Sequence, residues 1–117
     1  MLSQVESGPS KSDNEEAFSV LVYSDSSRAA VMLHGELDLE AAPKLAGALR
    51  RLRRQGCLHI QVDFASVTFI DAAGLRVLLT EQEAVAARRG RLVVRNLSRQ
   101  AHRLVRLAGA LDRLAVA

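Results

Sequence analysis

The 117-residue sequence contains no Trp, one Tyr and three Phe. Without aromatic rings interleaved among its bases it offers no stacking platform for single-stranded nucleic acid, and direct nucleic-acid binding is not expected. A single cysteine, Cys57, cannot form an internal disulfide, which agrees with a reducing compartment; it reads as a small core residue. No apolar run approaches the roughly 20 residues that span a bilayer, so no membrane insertion is expected. The opening "MLSQVESGPSKSDNEEAF" has neither the basic n-region nor the apolar h-region of a signal peptide. The expected location is cytoplasmic.

Reactive constellations are missing as well. There is neither a G-x-G-x-x-G nor a G-x-x-x-x-G-K-[ST] phosphate loop. His34, His59 and His102 are scattered, with no Cys, His or carboxylate at metal-ligand spacing. No strand–turn–helix nucleophile elbow occurs. Asp63, near the end of a strand, lacks the acidic cluster that would hold Mg²⁺ beside a phospho-accepting carboxylate. The expectation is a non-enzymatic protein with no cofactor and no metal.

What is present is an ordinary soluble composition, 49% hydrophobic and 25% charged. Its charge is unevenly laid out: residues 1–50 hold eight acids and four bases, residues 51–117 five acids and twelve bases. That asymmetry fits an acidic partner, nucleic acid or a habit of using Arg for Lys, since Lys11 and Lys44 are the only lysines. Arg88, Arg89, Arg99, Arg103 and Arg106 read as a solvated face.

Residues 1–16 are polar and acidic and read as a disordered tail. A domain is expected over 17–117. "AFSVLVYS" and "AAVMLHGEL" are strand-like runs joined by the turn "DSSR". Leu45, Leu49 and Leu52 then recur at helical spacing, with Pro43 tolerated in the first turn and Gly56 as the stop. "CLHIQVDFA" is a strand with Leu58, Ile60, Val62 and Phe64 on one face. After the loop "SVTFI", a helix is expected from Ala72 to Arg89, with Leu75, Leu78, Leu79, Gln82, Val85 and Ala86 inward and Gly90 ending it. "RLVVRN" is a strand. Ser98 caps a third helix, Arg99 to Gly109, with Ala101, Leu104, Val105 and Ala108 inward; "LDRLAVA" ends as a short edge strand. The order β-β-α-β-α-β-α-(β) defines an α/β fold, a single mixed sheet packed against helices, because helical crossovers require parallel neighbours.

The most informative stretch is "VTFIDAAGLRVLL". Asp71 stands at a helix N-cap, where a carboxylate accepts the first free N–H groups and complements the dipole. Ala72, Ala73 and Gly74 leave the first turn bare, open to close approach by another chain, while Leu75 and Leu78 anchor it from beneath. A capped, bare helix entrance suits docking better than catalysis.

"GELD" (Gly35, Glu36, Leu37, Asp38), followed some thirty residues later by "VTFIDAAGLRVLL", resembles the STAS domain and, within it, the bacterial anti-sigma factor antagonists. The resemblance covers residues 17–117. It implies a partner-switching module that binds a Ser/Thr kinase-type anti-sigma factor and so releases a sigma factor, acting as a monomer or weak dimer. The implied contact surface comprises Asp38, Leu39, Thr68, Phe69, Asp71, Ala72, Ala73, Gly74, Leu75 and Arg76, with residues 67–70 as a loop. In that family phosphorylation of the Ser after the motif Asp reverses binding; here the position is Ala72, and Ala73 follows, so neither offers a hydroxyl. The resemblance leaves three outcomes open: a constitutive binder, a cytoplasmic STAS subunit of an ABC-type lipid transport complex, or a switch moved to Ser66, Thr68 or Ser98.

Overall fold

The computed structural model describes residues 2–7 and 18–117, and six strands form one mixed sheet in sequence order. Strand β1 (Leu2–Ser7) runs antiparallel to β2 (Ser19–Asp25), which runs antiparallel to β3 (Arg28–Leu37). Strands β4 (His59–Ile70), β5 (Arg91–Arg95) and β6 (Ala115–Val116) follow, each parallel to the strand before it. Helices α1 (Ala42–Arg54), α2 (Ala72–Ala86) and α3 (Arg99–Leu107) occupy the three crossovers. All three crossovers step in the same direction across the sheet, so their right-handedness puts every helix on one face. Two layers result, in a molecule only 19 Å thick along its shortest axis.

Alternation decides what each strand buries. Val31, Leu33 and Leu37 of β3, Ile60, Val62 and Phe64 of β4, and Leu92 and Val94 of β5 point into the core beneath the helices. Leu45, Leu49 and Leu52 of α1, and Leu75, Leu78 and Val85 of α2, meet them there. Burying an aliphatic side chain of this size stabilises by about 1.5–3 kcal/mol. Among the described residues, the opposite sheet face carries no helix, and it presents residues such as Tyr23, Ala30, Met32, Gln61 and Val93.

Several boundaries differ from expectation. Leu2–Ser7, assigned by composition to a disordered tail, pairs along the edge of β2, where it satisfies backbone groups that β2 would otherwise leave unpaired. The rest of that tail, residues 1 and 8–16, lies outside the described residues. Residues 66–70, expected as a loop, are the second half of β4. Pairing advances from Met32↔Asp63 to His34↔Ser66, and from Gly35↔Val67 to Glu36↔Phe69. Each step inserts one extra β4 residue, a bulge that breaks the two-residue apolar period. Helix α2 ends at Ala86 rather than Arg89, since Arg89 itself adopts the left-handed conformation (φ 65°) and Gly90 N–H donates to the Val85 carbonyl at 2.7 Å. Ala86 is consequently exposed, as is Ala108, just beyond the end of α3.

Candidate functional site

The C-terminal ends of β3 and β4 lie side by side, with Leu37 and Ile70 in register, and the chain leaves both towards helices. In open parallel sheets this is where binding sites gather. Asp71 joins the two exits. One carboxylate oxygen, Oδ1, accepts the N–H groups of Ala73 (2.9 Å) and Gly74 (3.1 Å), capping α2. The other, Oδ2, accepts the N–H of Leu39 (3.1 Å) from the β3–α1 connection. Its own N–H donates to the Leu37 carbonyl at 3.3 Å. The cap expected from sequence is therefore also the tie between the two motifs.

Asp38 serves its own connection. Its Oδ1 accepts the Ala41 N–H at 2.9 Å, and its carbonyl accepts the N–H groups of Ala41 and Ala42. This turn starts α1, whose formal cap, Ala41, has no side-chain acceptor, and Pro43 sits in the first turn. Asp38 thus shapes the site's rim through its backbone turn.

Gly74 shows why the first turn of α2 is bare. A Cβ there would lie 2.6 Å from Leu37 Cγ and 2.9 Å from the Leu37 carbonyl oxygen. Glycine lets the helix press directly on the end of β3, and Leu75 fixes it from below at 4% exposure. Above that contact, Ala72 and Arg76 face solvent and Ala73 is half-buried. Two large apolar side chains stand exposed on the neighbouring segments, Leu39 (75%) and Phe69 (49%). Arg76 and Ala72 line a shallow recess of about 240 Å³ with Thr80, Glu83 and Arg113, where Arg113 pairs with Glu83 at 3.4 Å.

The bulged end of β4 also borders a groove of about 340 Å³ shared with the start of α3, lined by Thr68, Phe69, Ser98 and Gln100 among others. Thr68 and Ser98, two of the three hydroxyls considered as alternative switch positions, are thus brought together. Ser98 Oγ accepts the Ala101 N–H at 3.0 Å as the α3 cap. Exposed Ser66 is not among the groove's lining residues.

Some organising contacts were missed. Asp63 accepts from Asn96 Nδ2 (3.0 Å) and from Ala65 N–H (2.8 Å), clamping the first bulge of β4 to the residue after β5. The Asn96 hydrogen bond, then that of Ala65, holds its carboxyl below the usual range, with Arg95 adding a favourable charge. Asn96 itself has φ 61°, and an Asn closing a strand was the available signal. Glu81 is buried and pairs with Arg53 of α1 at 2.5 Å. It lies three residues after Leu78 and four before Val85, so helical spacing already placed it on the inner stripe. Cys57 is buried as expected; burial pushes its thiol up.

A two-layer mixed sheet with this capped helix entrance is the architecture of a STAS domain, and comparison with known proteins agrees. The family model described as "Mlab, STAS domain" matches residues 20–115, so the chain belongs to the STAS domain family. The anti-sigma-B factor antagonist of Listeria monocytogenes is 28% identical over 82 residues, 70% of this chain and 72% of that protein. The antagonist of the same name from Staphylococcus epidermidis is 28% identical over 70% of this chain and 76% of its own length. Among solved structures, an anti-sigma factor antagonist from Mycobacterium paratuberculosis superposes with a TM-score of 0.77 at 21% identity, covering 88% of this chain and 87% of that one. The unphosphorylated form of the antagonist SpoIIAA gives 0.72 at 21% identity, covering 84% and 87%. At these identities the structural likeness carries the fold. Among the described residues, no helix is long and apolar enough to cross a membrane.

Proposed function

We propose that this chain is an anti-sigma factor antagonist of the cytoplasm that binds a kinase-type anti-sigma factor without phosphorylation control at the motif position, and so frees a sigma factor. The observation that carries this reading is the pair of exposed apolar side chains, Leu39 and Phe69, beside the exposed methyl of Ala72. Apolar side chains held out on a rigid strand end and a tight turn suit a protein contact. A bare first helical turn lets the partner backbone come close. Asp38 and Asp71 hold that surface in shape, Thr68, Ala73 and Gly74 complete it, Leu75 anchors it, and Arg76 supplies a cation at its margin. The names of the curated relatives support the same reading.

With alanine at 72, no phosphate can be added where it would block the contact, so binding is constitutive. The test is titration of the purified protein into an anti-sigma kinase of the native host. Saturable binding is expected, abolished by Phe69→Glu and unchanged by ATP. Absence of binding to every such kinase of the host would refute the reading.

A second reading, a cytoplasmic STAS subunit of an ABC-type lipid transport complex, is favoured by the same alanine pair and by the label of the matching family model. Genes for an ATPase and a permease beside this one, and co-purification with that ATPase, would favour it over the first.

A further inference from the structure

The pole of the sheet opposite the docking surface carries an arrangement that partner binding does not use. Arg28, His59 and Arg91 are in register across three adjacent parallel strands, Arg28 opposite His59 and His59 opposite Arg91. Counting by twos from the buried positions puts all three on the helix-free face, and all are exposed. Neighbouring strands are about 4.8 Å apart, so two guanidinium groups flank an imidazole within easy reach of one another. Asp25, the register partner of Arg28 on β2, borders the row on the far side. Among the described residues, no ion pair or hydrogen bond engages the side chains of Asp25, Arg28, His59 or Arg91.

The next row along the same face is Tyr23, Ala30, Gln61 and Val93, again in register across four strands. Together the two rows line a trough of about 380 Å³, within the size range of small-molecule sites. Ala30 makes its floor low between the Tyr23 ring and the Gln61 amide, and Val93 continues the apolar surface. Successive rows on one face are roughly 7 Å apart along the strands, close enough for one small molecule to touch both.

The rim is held by backbone rather than by side chains. Leu58 and His59 N–H groups both donate to the Ser27 carbonyl at 3.1 Å, and Arg91 N–H donates to Leu58 at 2.7 Å. Gly90 makes the last approach possible, since a Cβ there would lie 2.3 Å from the Leu58 carbonyl oxygen. The backbone beneath the Arg28–His59–Arg91 row is therefore fixed.

We infer that this trough is a second, small-molecule site, which takes a flat aromatic body carrying a phosphate group. The ring lies over Ala30 and Val93 against Tyr23, and the phosphate is received by Arg28, His59 and Arg91. Charge complementarity commits the ligand to an anion, and two guanidinium groups around an imidazole suit a doubly charged one. The site lies at the other end of the strands from Asp71 and does not depend on which protein the docking surface binds.

The test is an amide-resolved NMR titration of the whole chain with phenyl phosphate, inorganic phosphate and phenol as separate probes. Phenyl phosphate is expected to bind most tightly and to move the amides of Tyr23, Ala30, His59 and Arg91. Arg28→Ala and Arg91→Ala should each weaken it about tenfold with the rest of the spectrum unchanged. Ala30→Leu, which fills the floor and leaves all charges in place, should block phenyl phosphate more than inorganic phosphate. Arg103→Ala on α3 should have no effect. The proposal is overturned if phenyl phosphate causes no saturable shift, if its shifts centre on Ala72–Gly74 or α3, if inorganic phosphate binds as tightly, or if Arg91→Ala binds like wild type.

Discussion

At the residue scale, three positions separate what this surface needs for shape from what it needs for control. Asp71 uses its two oxygens for different neighbours, Oδ1 for α2 and Oδ2 for Leu39. Asp71→Asn keeps an acceptor for the helix but turns a donor towards the Leu39 N–H, so about 1 kcal/mol should be lost. Asp71→Ala loses the cap as well, for a total of roughly 2 kcal/mol. Urea unfolding measures both, and faster hydrogen exchange at Leu39 in the Asn variant identifies the broken bond. Gly74→Ala places a methyl against Leu37, whose backbone cannot retreat without moving β3. A cost of about 1–3 kcal/mol is expected, together with weakened partner binding, because Leu39 follows Leu37 closely. Ala72→Ser should fold like wild type, since position 72 is exposed. Incubated with ATP and a kinase-type anti-sigma factor, it should gain one phosphate by mass spectrometry and lose affinity for that partner. A wild-type phosphate on Ser66, Thr68 or Ser98 would show instead that control has moved.

At the scale of elements, the hydrophobic period revealed most of the chain. The stripe of α1, the Leu75, Leu78 and Val85 positions of α2 and the Ile60, Val62 and Phe64 face of β4 lie as spacing predicts, because burial on one face is what fixes them. The second half of β4 was not legible, for each bulge shifts the side-chain phase by one residue and the run reads as irregular. In consequence, Phe69 reaches the solvent beside the α2 entrance. Glu81 was missed because a carboxylate on an inner stripe is expected to face water until its partner is known. That partner, Arg53, belongs to another helix, and the pair bridges α1 and α2. Glu81 is nearly inaccessible and Arg53 about a quarter exposed, so breaking the pair leaves a poorly solvated charge. Glu81→Ala should cost roughly 2 kcal/mol, below the full penalty of a deeply buried pair. Arg53→Met with Glu81→Leu should recover most of that loss, since apolar packing often replaces a buried ion pair without penalty. Thermal unfolding of the two single variants and the double variant resolves the coupling.

At the scale of the whole molecule, the described helices cover one face of the sheet, and its stability is coupled to pH through groups at both ends. Asp63, by the bulged end of β4, is held below the ordinary carboxylate value of 3.8, first by Asn96 and then by the Ala65 amide. The folded state therefore binds this proton less readily than the unfolded chain. The resulting stability is present above pH 3.8 and is lost as pH falls through the folded value. Cys57, beside the Ser26–Ser27 turn at the other end, donates to the Ser26 carbonyl and is pushed above its ordinary value of 9.0 by burial. Its sign is opposite. Folding favours the neutral thiol, so this contribution is present below pH 9.0 and is lost as pH rises through the folded value. Two single substitutions separate the ends. Asn96→Ala should destabilise at neutral pH by an amount that shrinks in strong acid to a constant offset, the cost of alanine at this left-handed position, leaving the alkaline limb unchanged. Cys57→Ala should flatten the alkaline limb and leave the acid limb unchanged, apart from a constant offset for the lost sulfur. Urea unfolding midpoints followed from acid to alkaline pH measure both limbs. An acid limb of wild-type steepness in Asn96→Ala would mean that Asp63 is not what couples this fold to acid.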